Sequence, residues 1–135
     1  MSKIKHRIGV RSLGLAATNE QKKLLREVIA AALESEGVDI PCAVDVYTTD
    51  DEGIHELNLE RRGVDRPTDV LSFPMFELLP GEKIEVDEWD LDENGRVPLG
   101  EMVISLERMK AQAAEYGHSE TRELAFLAAH STLHL

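Results

Sequence analysis

The chain has 135 residues, 42% of them hydrophobic, which suffices for one buried core and is short for two domains. Its single cysteine excludes an internal disulfide and favours a reducing compartment, and the N-terminus lacks the apolar run of a signal peptide. No stretch approaches the roughly 20 apolar residues that span a bilayer. We therefore predict one cytoplasmic domain with no membrane partner.

The net charge of −11 argues against nucleic acid as a partner, but the acidic residues are unevenly distributed. Between Glu77 and Glu101 nine acids accompany two basic residues, which leaves 17 acids and 13 bases elsewhere. The part from Glu77 to Gly95 has little periodicity and predicts a long surface excursion. Arg61, Arg62 and Arg66 form a local basic cluster. One face of an acidic protein can therefore bind a polyanion.

Hydrophobic periodicity and helix-capping residues predict an α+β fold. A partial alternation over residues 4–10 favours a first strand, and Thr18 opens a helix with a capping box that ends at Gly37. Residues 43–48 predict a second strand, and the pattern from Thr49 opens a short helix. Residues 70–73 and 102–104 predict two more strands, and Ser105 and Ser119 are expected to cap the last two helices. We expect a small mixed sheet of about four strands packed against helices.

His130 and His134 on the last helix are the main functional clue. Residues at i and i+4 share one helix face, so two imidazoles at that spacing can converge on one metal ion. The neighbouring residues are mostly apolar, which predicts that both rings lie in a cleft or against the sheet. A catalytic zinc needs at least a third protein ligand. The spacing alone leaves a second interpretation open, in which both are packed histidines bonded to backbone carbonyls.

The residue after His130 weakens a peptidase interpretation. The metalloprotease motif H-E-x-x-H places a glutamate there as general base, whereas this chain has Ser131. Any hydrolysis then depends on water activated by the metal or on an acid from elsewhere in the chain. Cys42 has no base or cationic neighbour in sequence to lower its pKa, so we expect a buried packing residue there.

Three separated segments resemble the YbeY family of bacterial endoribonucleases, which act as ribosomal RNA maturation factors. They are residues 58–74 (NLERRGVDRPTDVLSFP), residues 99–105 (LGEMVIS) and residues 130–135 (HSTLHL). Their order and distances suit the family, so the resemblance spans nearly the whole chain. It implies a zincin-like arrangement, with the metal-binding histidines on a central helix.

The resemblance also implies a ligand set. The family pattern H-x-x-x-H-x-x-G-Y-D-H puts three histidines on one zinc ion, and His130 and His134 match the first two. The third would fall six residues after His134, so residues 1–135 are expected to form a single catalytic domain truncated before the third ligand. Arg62 matches an arginine that the family uses in catalysis, and Arg61 stands where relatives often have an aromatic residue.

The implied function is that of a zinc-dependent, single-strand-specific endoribonuclease in ribosomal RNA maturation and ribosome quality control. Zinc held by imidazoles keeps a position open for water, and a guanidinium fits a phosphate in bidentate fashion, which suits Arg62. Arg61, Arg62 and Arg66 are expected to bind RNA, with ribosomal proteins as candidate further partners. Without the resemblance, Arg62 would be interpreted as an exposed arginine or one paired with Asp65 or Asp69.

Two alternatives remain open at this stage. The first is a non-catalytic ribosome-assembly factor that contacts RNA through the basic cluster, with a structural metal or none. The second is another metal-dependent hydrolase, against which the serine at position 131 counts.

Overall fold

Strands and helices alternate along most of the chain. The structure is a computed structural model and describes residues 6–38, 41–74 and 97–133. The elements are β1 (Arg7–Ser12), α1 (Asn19–Ser35), β2 (Cys42–Thr49), α2 (Asp51–Arg62), β3 (Val70–Pro74), β4 (Val97–Ser105), α3 (Leu106–Tyr116) and α4 (Glu120–Thr132). None of the described helices combines the length and hydropathy needed to cross a membrane.

The four strands form one mixed sheet in the order β1-β2-β4-β3. β1, β2 and β4 run parallel, and β3 pairs antiparallel with β4, with Val70 opposite Ile104 and Phe73 opposite Glu101. This arrangement confirms the predicted α+β class and the mixed sheet of four strands. It also leaves β3 as an edge strand of the described sheet.

The sheet separates two hydrophobic clusters, because successive side chains of a strand point to opposite faces. The larger cluster joins one face of the sheet to α1, α3 and α4, and it includes Val46, Met102 and Leu127. The smaller cluster lies on the other face, where Ile54 of α2 packs against Leu71 and Val103. The described helices are therefore layered, with α1, α3 and α4 on one side of the sheet and α2 on the other.

Polar side chains at the helix ends confirm the predicted caps. Thr18 and Gln21 form a reciprocal capping box, in which Gln21 N donates to Thr18 Oγ1 at 3.1 Å and Thr18 N donates to Gln21 Oε1 at 2.8 Å. Ser105 and Ser119 each accept a backbone N–H at the start of their helices. Short-range side-chain chemistry thus fixes where these helices begin.

Two element boundaries differ from the sequence prediction. The second helix is 12 residues long and is capped by Asp50, whose carboxylate accepts from Gly53 N at 2.8 Å, because Thr49 is buried at the end of β2. β4 begins earlier than predicted, since its first residues pair with β2 before the apolar run starts. The predicted acidic excursion from Glu77 lies outside the described residues.

The starts of α2 and α3 are joined at one end of the sheet. Ser105 Oγ donates to Asp51 Oδ1 at 2.9 Å, and Arg108 Nη2 lies 3.4 Å from Asp51 Oδ2. In return, Asp51 N donates to Glu107 Oε1 at 3.0 Å. Two helices on opposite faces of the sheet therefore share their capping groups, and Ser105 is fully buried between them.

We expect the substitution Ser105→Ala to lower the free energy of unfolding by about 2 kcal/mol, because it removes a helix cap and a buried hydrogen bond together. Urea denaturation followed by circular dichroism measures the loss. The matched control is Ser119→Ala, which removes an exposed cap and is expected to cost about 1 kcal/mol. Equal losses in the two variants would contradict the proposed coupling of α2 to α3.

Candidate active site

His130 lies on an exposed face of α4, near the end of the helix. Its ring is stacked on that of Phe126, one turn earlier, with centroids 6.0 Å apart and an interplanar angle of 12°. Phe126 is itself 62% exposed. Of the two predicted positions, in a cleft or against the sheet, the second does not apply to His130, because α4 buries the opposite face, which carries Leu124, Leu127 and Ser131. His134 lies outside the described residues.

Of the predicted metal-binding pair, the position of His130 alone can be described. Across residues 6–38, 41–74 and 97–133, no group of three or more His, Cys, Asp or Glu side chains is placed to hold a metal ion. Of the two predicted ligands, His130 alone belongs to those ranges, and its exposure makes the imidazole accessible to an ion from solvent. Within the described ranges, His130 is therefore the one predicted ligand whose position is known.

Ser131 points away from the exposed face and contacts β3. It is fully buried, and its Oγ lies 2.6 Å from Ser72 Oγ. The side chain that follows His130 is therefore occupied in holding α4 to the edge strand. It cannot act as the general base that a glutamate supplies at this position in metalloproteases.

The basic cluster begins in the last turn of α2, where Arg61 and Arg62 are both exposed. Gly63 ends the helix with φ of 69°, a left-handed conformation that glycine adopts without steric cost. The chain then turns back along the helix, and Val64 N donates to Asn58 O at 3.2 Å. The helix end thus places two consecutive arginines at the start of a turn.

Two side chains of α2 hold the loop that carries Arg66. Asn58 is 2% exposed, and its Nδ2 donates to Arg66 O at 2.9 Å. One turn earlier, His55 Nε2 lies 2.7 Å from Asp65 Oδ1. Because both bonds join the loop to a single helix, the backbone around Arg66 has a fixed position relative to Arg61 and Arg62.

The two aspartates that could neutralise Arg62 are otherwise engaged. Asp65 pairs with His55, and Asp69 Oδ1 accepts from Val70 N at 2.8 Å. Within the part of the chain that the structure describes, neither forms an ion pair with Arg62. The alternative of a salt-bridged Arg62 therefore finds no support here, and an exposed guanidinium remains.

α2 and α4 both contact the edge strand β3, as they also contact its neighbour β4. Ser72 faces Ser131 of α4, whereas the next residue, Phe73, faces α2, where Arg61 Cζ lies 5.6 Å from the centre of its ring. The structure thus brings the helices of His130 and Arg62 to the same edge strand, on opposite faces of the sheet.

Cys42 takes no part in this site. It is fully buried, and desolvation raises the pKa of its thiol from 9.0 to about 11. A thiol with so high a pKa holds almost no thiolate at neutral pH, so the predicted packing role is confirmed.

Sequence reasoning missed four residues that support the site: His55, Asn58, Ser72 and Phe73. Their contacts reach a neighbouring loop, strand or helix, and the Ser72 contact joins residues 59 positions apart in sequence. No spacing rule within one element indicates such contacts. A polar residue in an otherwise buried position, as at Asn58, is the one sequence feature that hints at them.

The hydroxyl pair at 2.6 Å can be tested by a double-mutant cycle. We expect Ser72→Ala and Ser131→Ala to be non-additive, with a coupling free energy of about 1 kcal/mol, because either change alone removes the bond between the two hydroxyls and Ser72→Ala leaves the buried hydroxyl of Ser131 without this partner. Chemical denaturation of the four proteins measures it. Additive losses would show that the two hydroxyls do not stabilise α4 against β3.

The chain is similar in sequence to a family of known proteins. Residues 11–135 match the family model of the endoribonuclease YbeY. Proteins named endoribonuclease YbeY are similar to the chain at 48% identity over 121 residues in Agathobacter rectalis and at 51% over 120 residues in Symbiobacterium thermophilum. These matches cover 86% and 87% of this chain and 73% and 72% of the relatives.

A solved structure shows the same fold. The solution structure of a protein from Thermotoga maritima matches with a TM-score of 0.61 and 26% identity, over 95% of this chain and 71% of that one. Together with the sequence matches, this likeness shows that the chain belongs to the YbeY endoribonuclease family.

Proposed function

We propose that this protein is a zinc-dependent endoribonuclease that cleaves single-stranded regions of ribosomal RNA in the cytoplasm, during rRNA maturation and ribosome quality control. The observation that carries the proposal is the position of Arg62 and His130, both exposed, on the two helices that meet the edge strand β3. Membership of the endoribonuclease family supplies the reaction class.

Arg62 is the group we assign to the scissile phosphate. Cleavage of a phosphodiester builds negative charge on the non-bridging oxygens, and a guanidinium can stabilise that charge through two parallel hydrogen bonds. The aspartates nearest in sequence are engaged with other groups, so the cation is available to RNA. The fixed loop below it adds Arg66 as a second contact to the backbone of the RNA.

His130 and His134 are the residues that we propose to hold zinc. A zinc ion bound there supplies positive charge and lowers the pKa of a water molecule, which suits phosphodiester hydrolysis at neutral pH. His130 contributes an imidazole on a solvent-exposed face, where RNA and water both have access. Ser131, through Ser72, keeps the helix that carries this imidazole against β3.

Charge distribution decides where RNA binds on a protein of net charge −11. Three exposed arginines, Arg61, Arg62 and Arg66, lie at the end of α2 and in the loop that follows it, whereas the bases of α1 are matched by acids, as in the pair of Lys23 and Glu27. We therefore expect phosphates to be attracted to the end of α2, beside the edge strand β3. We expect binding that weakens steeply with salt.

A second candidate, a non-catalytic RNA-binding assembly factor, is favoured by one observation. An exposed arginine cluster binds RNA equally well without a metal. Binding of RNA without turnover in zinc-replete protein would support this candidate. The other metal-dependent hydrolases are disfavoured, because the residue after His130 is buried against β3.

Replacing Arg62 by Ala should lower the rate of single-stranded RNA cleavage by about 100-fold or more and leave the zinc content unchanged. Cleavage of a labelled oligoribonucleotide and metal analysis of the purified protein measure the two effects. Arg11→Ala is the matched control, since Arg11 is also exposed but lies on β1 at the opposite edge of the sheet. Equal cleavage by the Arg62 variant and the unchanged protein would refute the assigned role.

Zinc removal and loss of His130 should have the same effect. A chelator is expected to abolish cleavage, added zinc to restore it, and His130→Ala to lower both the zinc content and the rate. Because His130 is exposed, its replacement should change the free energy of unfolding by less than about 0.5 kcal/mol. His118→Ala, at the junction of α3 and α4, is the control. Full activity in the presence of the chelator would overturn zinc dependence.

A further inference from the structure

Arg61 and Phe73 form a contact between the end of α2 and the end of β3. The guanidinium carbon lies 5.6 Å from the centre of the phenyl ring, within the range of a cation–π interaction. Phe73 packs on its inner side against Ile54, Leu71 and Val103, and it is half-buried. Arg61 is exposed, and its guanidinium lies over the ring.

The contact between Arg61 and Phe73 lies next to the residues proposed to bind RNA. Arg61 directly precedes Arg62, and the loop with Arg66 is bonded back to the same helix. No carboxylate among the described residues forms an ion pair with Arg61. A guanidinium is planar, and the face turned away from the ring remains open to a ligand. The result is a flat cationic surface beside the arginine proposed to bind phosphate.

We propose that Arg61, supported by Phe73, is a stacking platform for one unpaired nucleobase of the RNA substrate. Unstacked bases of single-stranded RNA bind on aromatic rings and on guanidinium planes, and they do so with little sequence preference. This inference rests on the proposed function, in which RNA is the substrate. It assigns to Arg61 a contact with a base, whereas its positive charge alone would predict a contact with a phosphate.

The contact with Phe73 reduces the conformational entropy that Arg61 loses when it binds a base. A free arginine side chain loses rotamer freedom when it stacks on a base, and that loss weakens binding. The ring already holds the guanidinium in place in the absence of RNA. A paired base inside a duplex has both faces covered, so such a platform selects single strands.

If Arg61 is a stacking platform, the loss of its planar shape should affect RNA binding differently from the loss of a positive charge. Arg61→Lys keeps the positive charge but removes the plane, and Phe73→Leu keeps apolar packing but removes the ring under the guanidinium. Both variants should therefore lose affinity for bases and keep affinity for phosphates. Arg62→Ala should lose affinity for phosphates, whether or not a base is attached.

The experiment compares two ligands of equal length and charge, a short single-stranded oligouridylate and its fully abasic counterpart. Fluorescence anisotropy at low salt measures each dissociation constant for the unchanged protein, Arg61→Lys, Phe73→Leu and the control Arg11→Lys. We expect Arg61→Lys and Phe73→Leu to weaken binding of the oligouridylate by about tenfold and of the abasic ligand by less than about twofold. The control should bind both ligands as the unchanged protein does.

Equal effects on the two ligands, or no effect on either, would overturn the platform. Thermal unfolding checks that Phe73→Leu remains folded, and Arg61→Lys, at an exposed position, decides the result if it does not. The proposed function is tested separately by the loss of cleavage in Arg62→Ala. If Arg62→Ala loses cleavage and Arg61→Lys does not distinguish the ligands, the platform alone fails. If the unchanged protein neither binds nor cleaves RNA, both proposals fail.

Discussion

The antiparallel pairing of β3 with β4 is the constraint on which the rest of the site depends. It makes β3 an edge of the described sheet and fixes its register, with Phe73 opposite Glu101. Because side chains alternate along a strand, Ser72 and Phe73 must point to opposite faces. One contacts α4 and the other contacts α2. A shift of the register by one residue would turn Ser72 toward α2 and Phe73 toward α4. Both of the present contacts would then be lost.

The site divides its residues between support and chemistry. Two of the supporting groups are buried: Asn58 holds the loop after α2, and Ser131 holds α4 to the strand. The groups proposed to meet RNA and metal, Arg62 and His130, are exposed. This division follows from solvation. A buried polar group must find a partner within the protein, whereas an exposed cation or imidazole keeps its capacity to bind a ligand.

Local sequence patterns were sufficient for most of the fold. Thr18, Ser105 and Ser119 are caps whose partners lie within three residues, so the helix starts were predictable from the sequence. The exposure of His130 was not, because it depends on which face of α4 packs against α1 and β3. The same limit applies to Ser72, whose partner is 59 residues away. Contacts of that kind depend on topology, which periodicity does not specify.

The geometry at the end of α2 explains why the consecutive residues Arg61 and Arg62 can have different roles. Neighbouring residues of an α-helix project about 100° apart around its axis. If Arg61 lies over Phe73, Arg62 must therefore point elsewhere. Gly63 then ends the helix in a left-handed conformation, so no further turn covers either side chain. Helix geometry thus places the guanidinium of Arg61 over the ring on β3 and directs Arg62 away from it, as the proposed contact of Arg62 with a phosphate requires.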